Sequence, residues 1–383
     1  MLNFMNKFLI IFILFFSHFA ANAQDVDKLK SALQSAGFEQ VIVLPVSLLD
    51  DGRLYLIGIE HRGINNPAEV LILANSISTS MGFLHTKFTL FYKGQVIHQS
   101  EFNNGTIVSS NLSDTYSRDF YQKFSPRNYR LNTFIDPEIQ IRFGNFINPI
   151  QSKTSLFIGS DIVLARGFSL FTGIAIPIQN DLDSESNNVK LGSSYFDYFT
   201  QFLTNHYAQL SAGMFYDDRY GVDLEYRYFP NHANLSVGLR YAKTGFYYFP
   251  ENAVFFESKF ENLYLINFEY LFPKDRINVS LEFGQFLNKD TGLKLLFIKQ
   301  YKNIEVGFFS TVTQTGRTAG FNFMVPLIPG KIIRTRNFEF RTNDSFRWEY
   351  SYSNEGEIGR DFNAKKSLRN TLRRFNSNLY NRY

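Results

Sequence analysis

Eleven charged residues, Glu138, Arg142, Asp161, Asp223, Glu225, Arg227, Arg240, Glu269, Glu282, Lys294 and Glu305, fall opposite the apolar positions of short alternating runs. Both signs are interleaved, and that limits their chemistry to two kinds. They pair with one another in ladders that fill and stiffen an interior, or with Tyr and Asn they line a path or site for a hydrophilic solute such as a glycan. Acid–base or nucleophilic catalysis would need a nucleophile, a base and an orienting group at one level. Beyond residue 24 the histidines are His61, His85, His98, His206 and His232. The first three show no ligand-like spacing, and the last two fall in expected turns. No metal cluster, Gly-rich phosphate loop or Ser/His/Asp arrangement stands out, so no metal, no cofactor and no enzymatic activity is expected.

The runs that carry these charges are strands. Val222, Leu224, Tyr226 and Tyr228 alternate with Asp223, Glu225 and Arg227, and after a turn at 230–234 Leu235, Val237, Leu239 and Tyr241 alternate with Ser236, Gly238, Arg240 and Ala242. One face is apolar and aromatic and the other polar, the period-two pattern of a strand with two unlike environments. Fourteen such candidates lie between 137 and 353. This repetition predicts a transmembrane antiparallel β-barrel of about 14 strands, with lipid outside and a polar lumen inside. Twelve strands are possible, because 194–203 and 335–341 alternate poorly. An even count places both barrel ends on the periplasmic side, and the two longest connections, Gln179–Gly192 and Thr244–Glu261, then both face outward. A charge facing lipid at mid-depth costs ~2–4 kcal/mol for Arg or Lys, so the eleven charges are assigned to the lumen.

Composition agrees. The 383 residues contain 43 Phe and 22 Tyr but one Trp, and no Cys, which excludes disulfides and a lipidated cysteine. Beyond the first residues no apolar run reaches the length of a membrane helix, and mean hydropathy is slightly negative. At the start, Lys7 precedes the apolar run Phe8–Phe19 and then Ala21-Asn22-Ala23, a secretory signal pattern over 1–23. The net charge of +4 is modest, and no nucleic-acid partner follows from it.

Residues 24–103 predict a small periplasmic α/β domain of order α-β-β-α-β. Leu29, Ala32, Leu33 and Ala36 hold helical spacing before Gly37, and Asn66, Pro67 and Glu69 write the start of a second helix. Residues 104–134 read as a linker with a helical turn pair around Ser117–Lys123, 135–353 as the outer-membrane barrel and 354–383 as a basic tail. That tail, with Lys365-Lys366, Arg369 and Arg373-Arg374, reads as a solvated terminus; the alternative is a segment docked to the barrel mouth, to anionic lipid or to a periplasmic partner.

The order of parts, with "SAGFEQVIV", "GRLYLIGIEHRGINNPAEVLILA", "KFTLFYKGQVIHQSEF" and a Phe/Tyr-rich region ending "GFNFMVPLIPGK" and "FRWEYSYSNEGEIGRDF", resembles the YjbH/GfcD-type outer-membrane proteins of exopolysaccharide and capsule production. The resemblance implies export or assembly of extracellular polysaccharide, with outer-membrane lipid, polysaccharide and other secretion or periplasmic proteins as partners. It transfers no catalytic residue. It departs from the family in having one barrel's worth of strands and no lipobox Cys. The alternatives are an outer-membrane enzyme acting on lipid or glycan and a structural or partner-docking barrel.

Overall fold

The computed structural model describes residues 25–49, 52–64, 66–103, 105–110, 114–143, 150–182, 187–230, 234–250, 253–301, 303–327, 332–352, 358–362 and 366–376. The expected signal peptide lies outside them. The chain divides into two units, one of residues up to 91 with 98–124, the other of 92–97 with the chain from 125 onward.

The first unit opens with helix α1 (25–35), which buries Leu29 and Leu33 and ends before Gly37 in the left-handed region at φ 105°. Strands β1 (Gln40–Leu49) and β2 (Gly52–Glu60) pair antiparallel. Helix α2 (Pro67–Ser80) then crosses over to β3 (Thr86–Tyr92), which pairs parallel with β2. Its start is the one written in the sequence: Asn66 Oδ1 accepts from the N–H of Ala68 at 3.1 Å, and Pro67 fills the first turn. The sheet continues through β4 (Gln95–Asn103) to β5 (Thr106–Ser110), in the order β1-β2-β3-β4-β5.

The stretch expected as a linker is therefore structured at its start. It holds β5 and helix α3 (Asp114–Gln122), whose Phe120 is fully buried edge-to-face on Phe91 at 5.5 Å. Gly58 makes room for both rings: a Cβ there would lie 2.5 Å from Phe91 and 2.8 Å from Phe120. The sequence signal is weak because a nine-residue helix rich in Asp, Ser and Arg anchors itself through one aromatic.

The second unit is a 17-stranded sheet. Its strands are β6 (Leu131–Phe143), β7 (Ile150–Ala165), β8 (Phe168–Asn180), β9 (Lys190–Leu191), β10 (Ser194–Leu203) and β11 (His206–Met214). They continue as β12 (Arg219–Tyr228), β13 (Leu235–Tyr248), β14 (Phe255–Phe256), β15 (Glu261–Phe272), β16 (Ile277–Gln285) and β17 (Thr291–Tyr301). The last are β18 (Ile304–Thr313), β19 (Arg317–Val325), β20 (Ile333–Arg334), β21 (Phe338–Thr342) and β22 (Phe346–Tyr352). Every one of the fourteen candidates is found as a strand of this sheet. Besides pairing with β7 and β9, β8 pairs with β10, so the two ends of the strand order meet there.

The parity argument fails at one strand. The candidate at 335–341 is the five-residue β21, which pairs parallel with the first residues of β6, while β19 pairs directly with β22. Among the described residues of this sheet thirteen strands have seven residues or more, and twelve successive antiparallel pairings carry the direction from β6 to β22. β22 thus runs the same way as β6, and the chain leaves the sheet at the end opposite to its entry. Phe338, Phe340 and their neighbours form only five residues of strand, so among the described residues an even number of long strands is not found.

Candidate functional site

The two faces of the sheet are as unlike as the alternation predicts. On one face Leu224 is 45% exposed, Leu239 48%, Tyr264 49% and Phe308 63%. These positions face one another across strands, as in Leu210↔Leu224↔Tyr241↔Tyr264 and Phe297↔Phe308↔Phe321↔Tyr350, so the apolar surface is a continuous band.

The other face gathers the charges. Asp161, Asp223, Glu225, Arg227, Glu269, Glu282 and Glu305 are buried, and Glu138, Arg240 and Lys294 are half-buried. The side chain of Arg142 lies outside the described residues. Arg240 is the centre of one cluster, its guanidinium donating to both oxygens of Asp223 at 2.9 Å. Arg227 donates to Ser236 and Asn267, both at 2.6 Å, Ser155 donates to Glu138 at 3.1 Å, and Lys294 lies 3.8 Å from Glu349. These contacts are side chain to side chain between strands, which is why alternation alone predicts their face.

The remaining carboxylates find their partners on a segment that sequence reading left in solvent. Residues 358–362 and 366–376, including helix α4 (Leu368–Arg374), lie against this polar face with Ile358, Phe362, Leu368, Leu372 and Arg373 buried. The expected solvated terminus is thereby corrected. Lys366 pairs with Asp161, Arg369 with Glu282 at 2.6 Å, and Arg373 with Glu305 at 3.0 Å and Glu269 at 3.6 Å. Glu225 accepts from the backbone N–H groups of Leu368 and Arg369, at 3.1 and 3.4 Å, and so satisfies the first turn of α4 next to its N-cap Ser367. Asp361 completes the cluster of Arg240 with two contacts of 2.9 and 2.8 Å.

Apolar packing seats the segment at two depths. Phe362 joins Phe134, Phe157, Phe171, Tyr195 and Phe215, while Leu368 and Leu372 join Ile97, Phe199 and Tyr207. Near the second cluster, Lys93 forms a buried pair with Asp197. Burial works against charge on Lys93, but Asp197 outweighs it and holds the ammonium above its ordinary range. At the other end, Asp290 accepts from the N–H of Gly359 at 2.9 Å and from Thr315 Oγ1 at 2.8 Å. Burial would raise that carboxyl, but these donors hold it below the usual carboxylate range.

The missed residues had a signal. Lys366, Arg369 and Arg373 stand three and four apart, and Leu368 and Leu372 four apart, so one short helix presents cations and leucines on different sides. What hid it was composition, since a basic, polar stretch after the last strand looks like a tail. His206, expected in a turn, opens β11, with Nδ1 2.7 Å from the Tyr226 hydroxyl; His232 lies outside the described residues.

Residues 93–322, more than half of the chain, match the family model YjbH, described as exopolysaccharide biosynthesis protein YbjH. No curated protein matches. Among solved structures, a loop L8 deletion mutant of OmpT, an outer membrane protein of Vibrio cholerae, is similar at 6% identity and a TM-score of 0.28, over 50% of this chain and 84% of that one. A likeness at that level carries no argument about this chain.

Proposed function

We propose that this chain, which belongs to the YjbH family of exopolysaccharide biosynthesis proteins, crosses the outer membrane as a closed β-barrel, holds its first unit in the periplasm and takes part in export or assembly of extracellular polysaccharide. The observation that carries the membrane reading is the continuous apolar band on one face of a sheet whose other face is charged. Soluble monomers rarely expose contiguous apolar patches beyond a few hundred Å², whereas lipid requires one. The pairing of β8 with β10 supports closure, since it leaves no edge at that point of the strand order.

On this reading the lumen is filled by residues 358–362 and 366–376 and by inward rings such as Phe157, Phe171 and Phe309. Such an interior supports a docking or assembly role for the barrel, without a catalytic step, over a permanently open passive channel. Its partners on this reading are outer-membrane lipid, the polysaccharide and other secretion or periplasmic proteins. The test is a chromosomal deletion complemented with the full chain. Surface polysaccharide is expected to fall and to return on complementation, with lipid A unchanged and the protein in the outer-membrane fraction. Unchanged polysaccharide, or protein recovered in the soluble fraction, would sink the proposal.

A further inference from the structure

We infer that segment 358–376 is a removable plug, and that the path it vacates is a carboxylate-lined conduit passing cationic and uncharged hydrophilic solutes in preference to anionic ones. The inference rests on the barrel reading above.

The way the segment is held argues for removal. Among the described residues it adds no strand to the sheet. Among the described residues its polar ties to the wall are side-chain ion pairs, the N–H contacts to Glu225 and Asp290, side-chain donors from Gln209 and Arg240 to the carbonyls of Lys366 and Phe362, and one backbone bond, from the N–H of Leu287 to the carbonyl of Arg360 at 3.0 Å. Taking it out breaks no ladder, and water can replace each of these polar partners; what removal costs is the apolar packing of Phe362, Leu368 and Leu372.

The chemistry of the wall argues that it is meant to be wet. A permanent filling is at least as stable when made of apolar side chains, because two charges taken out of water must recover their hydration from each other. Here the strands instead carry Asp161, Glu225, Glu269, Glu282 and Glu305, and the segment supplies their cations or N–H donors. Charges on a wall with an apolar outer face are what a water-lined passage requires.

The sign follows from which partners leave. With the segment gone, Arg240 keeps Asp223, Arg227 keeps Ser236 and Asn267, and Glu305 keeps Arg347 at 3.0 Å. Asp161, Glu269 and Glu282 lose the cations Lys366, Arg373 and Arg369, whereas the only carboxylate removed from the described contacts is Asp361; Arg227 and Lys294, the latter opposite Glu282 in the register, stay on the wall. Removal thus takes three cations and one carboxylate from these contacts and makes the wall more negative, and rings of Asp and Glu select cations.

The experiment is planar-bilayer recording in a KCl gradient of three proteins: the full chain, the full-length double variant Arg369→Glu/Arg373→Glu, and a variant ending at Tyr352. Each is first checked for flotation with lipid and for heat-modifiable electrophoretic mobility. The full chain is expected to pass no steady current. Both variants are expected to conduct in steps, with a reversal potential shifted toward that of potassium, and micromolar spermine should block the truncated form. Adding Glu269→Gln and Glu282→Gln to the truncated form should lessen both the shift and the block. Variants that float and are heat-modifiable yet silent, or that favour chloride, overturn the inference while leaving the barrel reading intact. Proteins that fail to float overturn both.

Discussion

Arg369 of α4 donates to Glu282 of β16 at 2.6 Å, across 87 residues of chain, and Glu282 is only 8% exposed. A carboxylate so placed needs a cation; no residue of its own strand provides one, and Lys294, opposite it on β17, lies 3.8 Å from Glu349. Arg369→Ala is expected to destabilise the second unit by about 1–3 kcal/mol, because Glu282 stays buried without its partner. Arg369→Ala with Glu282→Gln should recover part of that loss. Urea unfolding in detergent, followed by Trp348, the single tryptophan and a residue of β22, measures both. Additive losses in the double variant would show that the pair contributes nothing.

How far the sequence reaches is visible in this same pair. Glu282 was assigned to the polar face from alternation alone, because period-two patterning depends only on neighbours in the chain. Arg369 is not placed by any such pattern, because a basic, polar stretch after the last strand has the composition of a tail and its partners lie far away in the chain. The strand count misses separately at β21, where five alternating residues pair parallel with the start of β6. Helix α2 is legible down to its cap because Asn66-Pro67-Ala68-Glu69 encodes its start locally, whereas for α3 the turn pair around Ser117–Lys123 is legible but its docking through Phe120 is a tertiary contact that no local spacing reports.

The faces of β12 give a second prediction. Leu224 lies in the exposed apolar band and Glu225 under α4, so on the proposed barrel reading, with that band in lipid, Leu224→Arg should cost about 2–4 kcal/mol and lower folded yield in outer membranes. Glu225→Gln keeps an acceptor for the Leu368 N–H and should fold normally. Intact yield for the first with loss for the second would invert the two faces.

A third prediction concerns the end of the first unit. Phe120 fills the space over Gly58 against Phe91, so Phe120→Ala should destabilise that unit by about 3–5 kcal/mol, the usual cost of emptying a buried aromatic site. A fragment of residues 25–124 should accordingly resist limited proteolysis better than one of 25–103. Equal resistance would mean that β5 and α3 are not part of the folding unit.

The last prediction uses Asp290, which holds the start of the segment through Gly359. Its carboxyl is depressed by the donors from Gly359, Thr313 and Thr315, so its contribution is present above the unfolded carboxylate pKa of about 4 and is lost as pH falls through the lower folded value. The clasp is therefore intact at neutral pH and opens only under strong acid. Asp290→Ala removes the acceptor at every pH, at a cost of about 1–3 kcal/mol from unpaired N–H donors. Gly359 has φ +57°, and a Cβ there would lie 2.5 Å from Thr311 Cγ2, so Gly359→Val should unseat the same point by a steric route. Both variants should render the chain after Tyr352 more quickly cleaved by trypsin at Lys366 and Arg369 at pH 7, in protein otherwise folded by heat-modifiable mobility. Cleavage at the wild-type rate in both would show that the segment is held from its other end, through Leu368, Leu372 and the Arg373 pairs, and that the Asp290 contact follows its seating without controlling it.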